Sequence, residues 1–343
     1  MTSMTPDIPE VSLPAWKSLY QSAQRVYSFQ PWTVLDDTQL IGVRDSSTGE
    51  IGYACFMGCG GALFGLCFYR GAEGFESYTR LMSREIEPES VDNLFVQNCL
   101  KLELGPKSNL EKEDMAVVKK LGLVFKGKKA WPQFRSLLPG YYPWLLDENE
   151  ARFLTVGLNG ACHHFELVLA RKVKESMKEG EVLVYTRTNE GFTSVWESWP
   201  IHRPPPLPPM ELDYVRVRTA LAKVTKPDSS WEAGTFYTPS PVCDGGRPFF
   251  SKMALVNQAS SGFVFDTHLF GPMENEVQSM SNVILGAIEK HGFLPSEIRF
   301  SNGALMSNLT PLSVALGVRF VQMKTLSAFE NAKTAFIDFC SQR

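Results

Sequence analysis

The 343-residue chain has no CxxC pair among its seven cysteines, no strong net charge, and no basic stretch leading into an apolar one over Met1–Glu10. An odd number of thiols without metal-type spacing argues against a disulfide framework, and a reduced, cytosolic protein is the expectation. A formal net charge of −3 leaves no global field to recruit nucleic acid or an anionic membrane. GxSxG, HExxH, GxxxxGK[ST] and paired-carboxylate helix patterns are also absent. With 44% hydrophobic and 21% charged residues, the composition excludes disorder and collagen-like or coiled-coil character. A core large enough for two domains is expected at this length.

Ile51 to Tyr69 is uncharged over the length of a membrane span and holds a GxxxG pattern, Gly61 to Gly65. Gly60-Gly61 breaks it into two apolar runs, Ile51–Met57 and Leu63–Tyr69, each of strand length. A hairpin explains both runs, and Gln39–Arg44 adds a third strand to an antiparallel meander. No membrane segment is expected. Cys55, Cys59 and Cys67 fall within this uncharged stretch and are expected to be buried thiols.

Six prolines between Trp199 and Pro209 remove amide donors and stiffen the chain, so residues 200–210 read as a linker. It separates an α+β meander domain, 11–199, from an α/β domain, 211–343. In the first, helices are expected over Leu13–Phe29, Gly71–Ser83 and Asp114–Leu121, and a strand over Asn93–Leu104. A long helix is expected from the Asp147/Glu150 capping box to Gly180. A hairpin over Val182–Arg187 and Phe192–Trp199 closes that domain. In the second, strands are expected over Phe249–Asn257 and Phe263–Phe270. A helix carrying Met273, Val277, Met280, Ile284 and Ile288 on one face follows, then strand Glu297–Ser301, a helix, strand Val318–Met323 and a last helix from Ser327.

Lys126, Lys128, Lys129 and Arg135 interleave with Trp131, Phe134, Tyr141 and Trp144. Cations that track phosphates beside rings that stack on bases suit single-stranded nucleic acid. The competing reading is aromatic packing within a Pro/Gly-rich loop, with solvated lysines. Cys162-His163-His164 offers zinc-type donors, but neighbours on a helix point about 100° apart, so no metal site is expected. Gly58-Cys-Gly-Gly61 precedes a strand, not a helix, and reads as a turn rather than a phosphate cradle. No sequence pattern implies a cofactor.

Three strings, Gly49–Gly58 with Gly65–Tyr69, Gly127–Arg135, and Pro139–Trp144 with Glu150–Arg152, resemble a family of bacterial proteins described as domains of unknown function. That resemblance implies one domain on each side of the proline run and no transferable site. Gly292–Gly303, Leu316–Val321 and Glu330-Asn-Ala332 resemble the integrase and transposase core of the ribonuclease-H-like superfamily. Aligned so, the acidic positions fall on Ser301-Asn302, Ala335 and, at the end of the first strand, Asn257. Only two strands precede the first helix in this reading. Two-metal phosphodiester chemistry needs carboxylates there, so the resemblance implies a core without nuclease activity. Glu330 is accounted for by a capping box with Ser327.

The expectation is a non-catalytic binding or scaffold protein with a nucleic-acid or protein partner, and nothing in the pattern bars a homo-oligomer. The alternative is a hydrolase whose site assembles between the two domains from scattered residues, for instance Asp244, Asp266, His268 and Glu330.

Overall fold

The computed structural model describes residues 7–83 and 92–342, so the start of Met1–Glu10 and Arg343 lie outside the described residues. The chain divides into two compact units: the chain up to Pro204 together with Gly245–Arg247, and Pro205–Asp244 together with the chain from Pro248 onward.

The first unit opens with α1 (Leu13–Phe29), whose N-cap Ser12 accepts the Ala15 N–H. Then come β1 (Leu40–Arg44), β2 (Ile51–Met57) and β3 (Phe64–Arg70). These form the antiparallel meander, and Gly58–Gly61 makes the β2–β3 turn. Helix α2 (Gly71–Met82), short α3 (Asp92–Val96), β4 (Cys99–Gly105), α4 (Lys112–Lys120) and β5 (Trp131–Leu137) follow. The unit ends with α5 (Glu148–Leu169), β6 (Met177–Lys178), β7 (Glu181–Thr188) and β8 (Gly191–Ser198). The sheet runs β5-β4-β3-β2-β1-β7-β6, with β8 paired to β7 and only β1–β7 parallel. Alternation sends Phe56, Leu66, Phe68, Leu100, Leu102 and Phe134 to a core under α1 and α5. The opposite face buries Tyr53, Cys55, Cys67, Tyr69 and Cys99 under α2.

Four expectations are corrected here. Asn93–Leu104 is not one strand, because Asp92 starts a helical turn and regular alternation begins only at Cys99. The stretch Lys119–Trp144 is not wholly loop but contains β5. Helix α5 stops well before Gly180. Its apolar face gives out after Val168, and Arg171 takes a left-handed conformation, with the Lys172 N–H closing onto the Leu167 carbonyl. Cys59 sits exposed at the hairpin tip, whereas Cys55 and Cys67 are buried.

The second unit begins within the proline run. Leu207, Met210 and Leu212 pack on its core, and the Pro209 carbonyl accepts from Asn275. Its elements are α6 (Tyr214–Ala222), β9 (Lys226–Val242), β10 (Phe249–Gln258), β11 (Val264–Phe270), α7 (Glu276–His291), β12 (Phe293–Phe300), α8 (Gly303–Asn308), α9 (Thr310–Leu316), β13 (Arg319–Gln322) and α10 (Ser327–Ser341). The sheet order is β11-β10-β9-β12-β13. Strand β10 runs antiparallel to both β9 and β11, and β12 runs parallel to both β9 and β13. Helices α6 to α9 cover one face around Trp231, Ala233 and Ile298, and α10 covers part of the other around Phe236, Met253 and Leu255.

Three strands therefore precede α7, not two. Strand β9 is central and buried on both faces over Trp231–Gly234, which erases alternation, and Pro227, Pro239 and Pro241 disguise its ends. Met273 precedes α7 and is exposed rather than on its apolar face. Ser327 does not cap α10: the N-cap is Leu326, and the Phe329 N–H is satisfied by Glu232. Among the described residues no helix is long and apolar enough to cross a membrane.

Candidate functional site

The basic-aromatic stretch is split by the pleat of β5. Phe134 turns into the core, edge-on to Tyr20 at 5.1 Å. Arg135 turns to the opposite face and is buried in a bidentate pair with Asp114, Nη1 to Oδ1 at 2.9 Å and Nη2 to Oδ2 at 2.8 Å. Glu111 adds a third contact at 3.1 Å. Burial alone would lower the Arg135 pKa, but the hydrogen bonds and charge of Asp114 and the charge of Glu111 outweigh it and raise the pKa. Its charge is spent inside the protein.

Lys126, Lys128 and Lys129 remain exposed on the segment between α4 and β5. The Lys129 ammonium lies 3.7 Å from the centre of the Phe64 ring. Trp131 is half-buried, 5.3 Å from Phe125, and carries Lys107 at 5.3 Å over its ring. Lys107 belongs to the site although its sequence position gives no hint of it. Gly105 pairs with Trp131 across β4 and β5, and two further residues bring the ammonium over the indole. Tyr141 and Trp144 are half-buried beyond the strand. Trp144 exchanges backbone hydrogen bonds with Ser136, and its indole N–H donates to the Asp7 carbonyl at 3.1 Å. Lys129 and Lys107 thus stand over Phe64 and Trp131, while Phe134 and Arg135 turn into the protein.

The second unit carries a polar cluster on the face of its sheet that α10 packs against. Glu232 in β9 is opposite Asn257 in β10 and Arg299 in β12, so all three share one face. Glu232 is buried, and its Oε2 accepts the Phe329 N–H at 2.8 Å. The Asn257 amide is fully buried, and among the described residues neither its oxygen nor its nitrogen has a hydrogen-bond partner. Glu297 accepts from Arg319 and Arg299, and these hydrogen bonds hold its carboxyl below the usual range. Glu232 had no sequence signal because β9 itself had none.

The residues of the alternative hydrolase site are not brought together. Asp266 and His268 lie on the α7 side of the sheet, where Asp266 pairs with Lys290 at 2.5 Å. Glu330 stands on α10, across the sheet, 3.8 Å from Lys333. Of the Cys162-His163-His164 trio, His164 is buried with its Nδ1 2.8 Å from the Tyr185 hydroxyl, while His163 stacks on Phe192. Among the described residues no group of three or more His, Cys, Asp or Glu side chains is arranged to hold a metal ion.

These features define a mixed α/β protein of two sheet-containing parts, one with a meander under two helices and one with a mixed five-stranded sheet. Residues 16–185 match the family described as Domain of unknown function (DUF7309), and residues 218–337 match Domain of unknown function (DUF6930). The chain carries one domain of each, as the tryptophan–proline strings implied. No curated protein matches it.

Proposed function

We propose that this is a non-catalytic binding protein of the bacterial cytosol whose partner is single-stranded nucleic acid. Its second unit is read as a ribonuclease-H-like core without nuclease chemistry. The observation that carries the reading is the sheet order β11-β10-β9-β12-β13, which supplies three antiparallel strands before α7 while the end of β12 leads into neutral Ser301 and Asn302. With Asn257 beside it and Ala335 on α10, Glu232 is left as a single buried carboxylate, already engaged by the start of α10. Glu297, on the same face, is engaged by Arg299 and Arg319, so it and Glu232 do not make the paired cation clamp that in-line phosphodiester cleavage requires.

The binding surface in this reading is the exposed Lys126, Lys128 and Lys129 with Lys107, Trp131 and Phe64. Lysines are free there to neutralise phosphates, and the half-buried indole offers an edge for stacking. A bacterial source is supported by the resemblance of the strings around Trp131 and Trp144, and a reducing compartment by an odd number of cysteines without metal-type spacing. Incubating the protein with labelled single-stranded RNA and DNA in magnesium or manganese tests the proposal. Retarded but intact strands are expected. Cleavage that disappears in Glu232→Gln would overturn the non-catalytic reading, and absence of any complex at low salt would overturn the nucleic-acid partner.

A further inference from the structure

A cavity of about 310 Å³ opens in the first unit between α1, α4 and the segment preceding α5. Its walls are mainly apolar: Val11, Trp16, Val117, Leu145 and Leu146. That volume is at the lower end of small-molecule sites. Tyr20 also lines it. The ring is 2% exposed, gripped by Trp16, Phe125 and Phe134, with centroids at 6.1, 6.0 and 5.1 Å. Among the described residues, however, nothing hydrogen-bonds its hydroxyl. A hydroxyl on so buried a ring, unbonded yet not sealed from solvent, is open to an acceptor that enters the cavity. Burial, and then the charge of Asp114, hold the phenol protonated well above its ordinary range, so the group is a donor.

The charges around the cavity are unequal in what they leave over. Asp114 is paired with Arg135 at 2.8 Å, and Glu113 is 3.4 Å from Lys112. Lys120 lines the cavity, is exposed, and has no ion-pair partner among the described residues. An aromatic wall, one inward hydrogen-bond donor and one unspent cation are complementary to a flat apolar body bearing an anionic acceptor.

We infer that this cavity binds a small aromatic carboxylate, its ring system packed against Trp16 and Tyr20 and its carboxylate between the Tyr20 hydroxyl and Lys120. The cavity lining includes none of the residues proposed to contact nucleic acid.

Calorimetric titration of the full chain with 2-naphthoate and with naphthalene tests this. Naphthoate is expected to bind at least tenfold more tightly than naphthalene. Tyr20→Phe, which keeps the ring, should weaken naphthoate about three- to tenfold and leave naphthalene unchanged. Ala116→Trp places a large side chain at the exposed mouth on α4 and should abolish binding of both, with thermal unfolding unaltered as the control on folding. Failure of either compound to bind, equal affinity for the two, or undiminished binding to Ala116→Trp would each overturn the inference.

Discussion

Acidification should destabilise the first unit through one buried imidazole. His164 is 1% exposed, stacked near Phe56 and hydrogen-bonded to Tyr185. Burial, helped by the neighbouring His163, lowers its pKa from 6.5 to about 4. Between those two values the unfolded chain carries a proton that the folded one refuses. Stability therefore falls with pH across that window, by about 1.36 kcal/mol per unit. From pH 7.5 to pH 5.0 the loss from this group alone is about 2 kcal/mol. Other titrating groups also contribute, so the informative quantity is the difference between the native chain and His164→Gln. The variant loses the Tyr185 contact at every pH but has no proton to take up. In urea unfolding followed by far-UV circular dichroism, the stability gap between the two should narrow by about 2 kcal/mol on going from pH 7.5 to pH 5.0. A gap that stays constant would show that His164 titrates alike in both states and would refute its assignment as a buried neutral group.

Two further substitutions separate structure from surface along the basic-aromatic stretch. Asp114→Asn leaves the Arg135 guanidinium buried without its bidentate partner and should cost about 3–5 kcal/mol in urea unfolding; Asp114→Leu with Arg135→Met should recover most of it. Trp131→Ala removes a ring that is only half-buried, so its cost in the same assay should be about 1–2 kcal/mol, below the roughly 3–5 kcal/mol of a fully buried aromatic. Undiminished stability in Asp114→Asn would contradict the paired burial of Arg135.

Local signals were legible where one rule acted alone. The Asp147 cap and regular apolar spacing marked the start of α5, and paired glycines marked the β2–β3 turn. Strand β9 was hidden because a central strand buried on both faces shows no alternation, and its terminal prolines resemble linker composition. Helix α6 was hidden by the same proline run, although Asp213 caps it by accepting from Val215 and Arg216 at 2.9 Å each. At the candidate site, sequence adjacency grouped Phe134 and Arg135 with the lysines, but a strand sends successive side chains to opposite faces. Lys107 and Glu232 enter through cross-strand register, which a single sequence does not display. Tyr20 is a further case: its helix periodicity explains the buried ring, and only the packed structure shows a hydroxyl left without a partner.

The most direct test of the proposed function is fluorescence anisotropy of labelled single-stranded RNA with the native chain and with Lys126→Gln, Lys128→Gln and Lys129→Gln combined, across a salt series. If these lysines neutralise phosphates, log K for the native chain falls linearly with log salt. The triple variant binds more weakly with a slope shallower by about 2, as expected for three lost contacts to a single strand, while its thermal unfolding is unchanged. Identical slopes and affinities in the two proteins, or no binding by the native chain at low salt, would contradict the account.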